Sequence, residues 1–187
     1  MQLRGDALGG LLARAERGQP LPPVFVVASD EPLLALEAQD AIRAVARKQG
    51  YSEREVLQAD GRFDWSRLTE AAGGLSLFAD RKIVEIRLPG GKPGTSGAAA
   101  LEAHAALAGE GLLTIVALPK LDRRGKEARW VTALERAGVL VEIGRRVPCL
   151  AVEWRPATAS YPDGRAEARV LAISGSPLGS RLRKRSM

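Results

Sequence analysis

Apolar residues recur along this chain at two spacings, and the alternation between them predicts its elements. Leu8, Leu11, Leu12 and Ala15 fall at helical intervals within 6–17, and Gly18 and the run Gln19-Pro20-Leu21-Pro22-Pro23 stop that helix. Val24-Phe25-Val26-Val27-Ala28 is an unbroken apolar run with β-branched residues, the pattern of a strand covered on both faces. Ser29 or Asp30 is then placed to cap a helix with Glu31 and Pro32 in its first turn and Leu34, Ala38, Ile42 and Val45 on its face, ended by Lys48 and Gly50.

The order repeats. Residues 55–58 predict a strand, Asp64 caps a helix running to Ala72, and 82–88 predict the third strand. Residues 89–97 read as a mobile Gly-rich surface loop, 98–107 as a helix, 112–118 as a second fully apolar strand, 125–137 as a helix and 139–143 as the last strand. Strands alternating with helices through short links predict an α/β three-layer domain on a mostly parallel sheet of about five strands. From Gly144 the periodicity ends, and prolines 148, 156, 162 and 177 leave only 166–173 as a short helix, so 145–187 is expected to be a weakly ordered tail.

One connection breaks the pattern. Gly73-Gly74-Leu75-Ser76-Leu77-Phe78-Ala79-Asp80 carries three large apolar side chains where turns are normally polar. From the residues alone, Leu75, Leu77 and Phe78 are either core or a surface for a partner.

Composition narrows the functional classes. The 187 residues are 45% apolar and 27% charged, a globular balance, and no run reaches the roughly 18 apolar residues of a membrane span. With no secretory leader pattern, a cytoplasmic protein is expected. The net charge is +6, but 145–187 alone hold nine Arg/Lys against three Asp/Glu, so 1–144 are balanced and the basic character belongs to the tail. His104 is the sole histidine, expected at the surface or half-buried, and Cys149 the sole cysteine; neither a metal site nor Ser-His catalysis is supported.

An α/β sheet invites a nucleotide at the turn after its first strand, here Ala28-Ser29-Asp30-Glu31-Pro32. That turn has no phosphate-loop glycines, no lysine and no Lys-Ser/Thr pair, and its two carboxylates would repel phosphate, so no cofactor and no catalytic residue is expected. Lys120, Arg123, Arg124 and Lys126 cluster after the fourth strand; they are either a solvated helix start or a contact to an acidic partner or DNA.

The stretches FVVASDEPLLALEAQDAIRAVARKQGY, FDWSRLTEAAGGLSLFADRKIVEIRL and LLTIVALPKLDRRGKEARWVTALERAGVLVEI, in this order and spacing, resemble the N-terminal domain of the delta subunit of the bacterial DNA polymerase III clamp loader. The resemblance covers about residues 1–143. It implies an AAA+-like, P-loop NTPase-type domain over 1–144 without a working phosphate loop, in a non-catalytic subunit of a DNA-directed DNA polymerase (nucleotidyltransferase) complex. It implies as partners the beta sliding clamp, which the subunit binds and opens for loading, the other clamp-loader subunits, and DNA only indirectly. It also implies that Leu77 and Phe78 enter a pocket on the clamp, with Leu75 standing between that role and the core.

The family continues through a lid and a collar domain. This tail does not match them, and its Arg/Pro/Ser/Gly-rich composition reads as translation out of the original frame, so the chain is expected to be truncated and its assembly impaired. Two other classes compete: a nucleotide-dependent enzyme or switch with an atypical site, and a nucleic-acid binder using the basic tail, especially 181–185.

Overall fold

The computed structural model describes residues 1–73, 81–109 and 111–144. Its elements run β1 (Gln2–Arg4), α1 (Gly5–Glu16), β2 (Val24–Ser29), α2 (Pro32–Lys48), β3 (Glu53–Gln58), α3 (Ser66–Gly73), β4 (Lys82–Arg87), α4 (Gly94–Leu107), β5 (Leu112–Leu118), α5 (Arg123–Lys126), α6 (Arg129–Ala137) and β6 (Val139–Ile143). Contacts divide the chain into Met1–Gly144 and Arg145–Met187; the expected tail, with Cys149, lies outside the described residues.

The strands form one sheet in the order β1-β6-β2-β5-β4-β3, every pairing parallel. It has six strands, one more than the apolar runs suggest. The added strand β1 is too short for any periodicity to show and is held at the edge by its pairing with β6, Gln2 opposite Leu140 and Leu3 opposite Val141. The fold is the expected α/β three-layer one, a parallel sheet with helices on both faces.

Alternation inside the apolar runs sorts the core into two layers. Val24 and Val26 point to one face, with Val84, Ile86 and Val116, where Leu68 of α3, Leu101 of α4 and Trp130 and Leu134 of α6 cover them. Phe25 and Val27 point to the other, with Ile83, Leu113 and Ile115, under Leu8, Leu11 and Leu12 of α1 and Ile42 and Val45 of α2.

Three boundaries depart from the sequence reading. The N-cap of α2 is Glu31, with Pro32 in the first turn; Ser29 instead closes the preceding turn, its Oγ accepting from Glu31 N at 3.0 Å. Helix α4 starts at Gly94, so half of the expected Gly-rich loop is its first turn. Gly97 is there because a Cβ would lie 2.4 Å from the Trp65 ring. The helix expected over 125–137 is two helices, since Asp122 caps α5 by accepting from Gly125 N and α6 begins afresh after Ala128. Between α6 and β6, Gly138 passes so close to β2 that a Cβ would lie 2.0 Å from the Val24 carbonyl oxygen.

Candidate functional site

In a parallel sheet the strand C-termini share one edge, where such folds bind ligands. Here the turn after β2 is tied to the turn after β5, because Asp30 Oδ1 accepts from Lys120 N at 3.2 Å. The Glu31 N–H, which a phosphate cradle would need, is given to Ser29. The turn therefore gives the Glu31 N–H to the Ser29 hydroxyl and the Asp30 carboxylate to the Lys120 N–H.

The four candidate cations sit on this edge but do not act as one patch. Lys126 pairs with Glu142 of β6, and Arg123 pairs with Glu127 one helical turn on, at 3.1 Å. Lys120 and Arg124 are exposed and make no ion pair with a described residue.

The apolar connection falls between α3 and β4. Leu75, Leu77 and Phe78 lie outside the described residues, but both flanks are fixed. Asp64 starts α3, accepting at one oxygen from Ser66 N (3.0 Å) and Ser66 Oγ (2.8 Å), and these bonds hold its carboxyl below the usual range. Leu68 and Ala71 anchor α3 in the core. On the far side Lys82 is buried, its Nζ 2.8 Å from Glu55 and 3.6 Å from Glu53. Burial opposes its charge, but the two carboxylates outweigh it and raise its pKa.

Among the buried polar groups that the sequence reading did not place inside are Glu85 and His104. Glu85, 1% exposed in mid-strand, receives Arg43 Nη1 of α2 at 2.7 Å and both Arg54 Nε and Nη2 of β3 at 2.8 Å. Burial would raise its pKa, but the two guanidiniums win and hold it low. The available signal was a carboxylate alone in an apolar strand, together with Arg43 next to Ile42 on the inner side of α2. His104, expected at or near the surface, is buried and bonded through Nε2 to Thr114 Oγ1 at 2.8 Å; an Ala-rich helix gives little indication of which face is inward.

Among the described residues no group of three or more His, Cys, Asp or Glu side chains could hold a metal ion, and no helix is long and apolar enough to cross a membrane.

Residues 25–144 match the family described as DNA polymerase III, delta subunit. The chain is 33% identical over 128 residues to DNA polymerase III subunit delta of Escherichia coli (strain K12), covering 68% of this chain and 37% of that protein. Over 71 residues it is 35% identical to the subunit of the same name from Haemophilus influenzae, covering 38% of this chain and 21% of the relative. The chain thus spans less than half the length of these curated relatives. Among solved structures, the Bacillus subtilis DNA clamp loader delta protein superposes with a TM-score of 0.55 at 16% identity, over 73% of this chain and 42% of its own; at that identity the likeness is one of fold.

Proposed function

From the premise that the chain belongs to the DNA polymerase III delta-subunit family, we propose that it is a non-catalytic clamp-loader subunit that binds the beta sliding clamp and opens it for loading onto DNA. The observation that carries this reading is the continuous family match over residues 25–144, which runs through the connection bearing Leu75, Leu77 and Phe78. An aromatic and aliphatic anchor seated in an apolar pocket is the usual form of an interface hot spot. Each such side chain contributes about 1.5–3 kcal/mol when fully buried. In this reading α3 and β4 supply fixed ends, and the three side chains between them supply the contact.

Residues 1–144 are the clamp-binding domain and 145–187 a separate basic segment. The remaining partners are the other clamp-loader subunits, with DNA reached through the clamp, and the site of action is the cytoplasm. Lys120 and Arg124, beside Arg123 and Lys126, are the surface offered to an acidic partner or to DNA phosphate.

The test is titration of the full chain against the beta sliding clamp of the same organism, with the clamp's ring interface followed by a fluorescent pair across it. Saturable binding with separation of the pair supports the reading. Saturable ATP binding without clamp binding would replace it with a nucleotide-dependent one.

A further inference from the structure

Strand β3 is an edge of the sheet, and among the described residues no strand lies beyond it. It pairs with β4 at six consecutive positions, from Glu53 opposite Lys82 to Gln58 opposite Arg87, and contains no proline. Glu53 N donates to Arg81 O and Ala59 N to Arg87 O, so the odd-numbered residues turn their backbone groups inward to β4. The N–H and C=O groups of Arg54, Val56 and Gln58 therefore point out of the sheet.

Open edges are ordinarily blunted by charged side chains laid across them. Here the charges of β3 are drawn back onto the sheet. Arg54 gives Nε and Nη2 to Glu85, while Glu53 and Glu55 flank Lys82 at 3.6 and 2.8 Å. Val56 is left 39% exposed among them.

The two faces of this edge carry opposite charge. Leu57 lies in the core layer under α3, α4 and α6, so Glu53 and Glu55 share that face, and Arg54, Val56 and Gln58 share the α2 face with Glu85 and Arg87. On the α2 face Arg43, Arg54 and Arg87 outnumber Glu85 and Asp40. Both Glu85 oxygens are already bonded, Arg87 Nη2 stands 3.8 Å from the nearer one, and Arg54 Nη1 has no partner among the described residues. Both arginines thus keep donors for a further carboxylate. On the other face Glu53 and Glu55 outnumber Lys82.

We propose that β3 is a docking edge for an extended segment of another protein, with acidic and apolar residues on the α2 face alternating with basic residues on the other. The added backbone extends the ladder at Arg54, Val56 and Gln58, and an apolar side chain covers Val56. Acidic side chains take the spare donors of Arg54 and Arg87, and basic ones meet Glu53 and Glu55. A second copy of this chain fits less well. Antiparallel pairing of two β3 edges about a two-fold axis continues the sheet with like-charged faces side by side. The edge is built wholly from described residues and is tested without the clamp.

The experiment titrates the full chain into two labelled peptides of equal composition, centred on Glu-Lys-Val-Lys-Glu and on Lys-Glu-Val-Glu-Lys, by fluorescence anisotropy. Amide hydrogen exchange is read residue by residue in the same complexes. The first peptide is expected to bind saturably, about fivefold or more tighter than the second, and to slow exchange at Arg54, Val56 and Gln58. Val56→Pro removes one outward N–H at a position where an edge strand tolerates proline, and is expected to weaken binding about tenfold at a near wild-type melting temperature. Val56→Lys keeps the N–H but lays a charge across the edge; it weakens binding too, and replaces Val56→Pro should that variant unfold. Arg87→Glu weakens the first peptide about fivefold. No saturable binding, equal binding of the two peptides, or wild-type affinity in a folded Val56 variant would overturn the proposal. So would a single-stranded oligonucleotide that binds through Arg54 and Arg87 where the peptides do not, which assigns the face to nucleic acid. A concentration-dependent dimer lost in Val56→Lys would overturn it in favour of a second copy.

Discussion

His104 of α4 and Thr114 of β5 share a 2.8 Å hydrogen bond in the buried layer between helix and sheet, and the other ring nitrogen, Nδ1, has no partner among the described residues. A second proton on the ring would therefore be buried without an acceptor, and burial holds the imidazole pKa below its ordinary value. The folded state favours neutral His104, whereas the unfolded chain takes up a proton near the ordinary histidine value. Its stabilisation is complete above about pH 6.5 and is lost as pH falls from there through the lowered folded value. Melting temperatures are expected to be flat above pH 7 and to fall as the pH drops below about 6.5. In His104→Ala that drop disappears, although the variant is less stable throughout by about 1–3 kcal/mol because the Thr114 hydroxyl loses its partner.

Glu85 acts in a separate, more acidic window. Its pKa is lowered in the fold, so its contribution is present above the ordinary carboxylate range and is lost as pH falls through the lowered value. Glu85→Ala leaves Arg43 buried beside an empty position, with only the exposed Asp40 as counter-charge, and breaking a buried pair this way costs about 3–5 kcal/mol. Urea denaturation of Glu85→Ala beside Arg43→Met/Glu85→Leu checks this. The double variant removes both charges together and is expected to be the more stable of the two.

Gly97→Ala tests whether the start of α4 is set by packing against Trp65. The added methyl would overlap the indole at 2.4 Å, and Pro93 Cβ at 2.7 Å closes the other side. A loss of about 1–3 kcal/mol is expected from overpacking, seen as a lower urea midpoint at unchanged slope. Alanine at Gly94 meets no neighbouring atom but must adopt φ +72°, so its effect comes from backbone strain alone.

Much of the layer architecture was legible because it rests on local patterns. The run from Val24 to Ala28 could only be a strand buried on both faces, and β5 and β6 occupy the residues their apolar runs mark out. What escaped depends on partners distant in sequence. Strand β1 exists through pairing with β6, more than 130 residues away, and Gly97 through Trp65. Glu85 is tolerated in mid-strand because Arg43 and Arg54 arrive from two other elements. The candidate site divides the same way. The carboxylate-bearing turn after β2 was readable from Asp30 and Glu31, but the bond from Lys120 N to Asp30 and the neutralisation of Lys126 by Glu142 were not. The clamp contact proposed for Leu75, Leu77 and Phe78 comes from family resemblance, since a short apolar segment by itself does not distinguish core from interface.

The decisive measurement is calorimetric titration of the beta sliding clamp with the full chain, wild type beside Leu77→Ala/Phe78→Ala, with the melting temperature of each taken in the same buffer. Clamp-directed side chains predict saturable wild-type binding and a double variant that melts close to wild type yet binds at least a hundredfold more weakly, from about 1.5 kcal/mol or more lost per residue. Wild-type affinity in the double variant, or a melting temperature that collapses along with binding, would return Leu77 and Phe78 to the core and leave the clamp contact without a site.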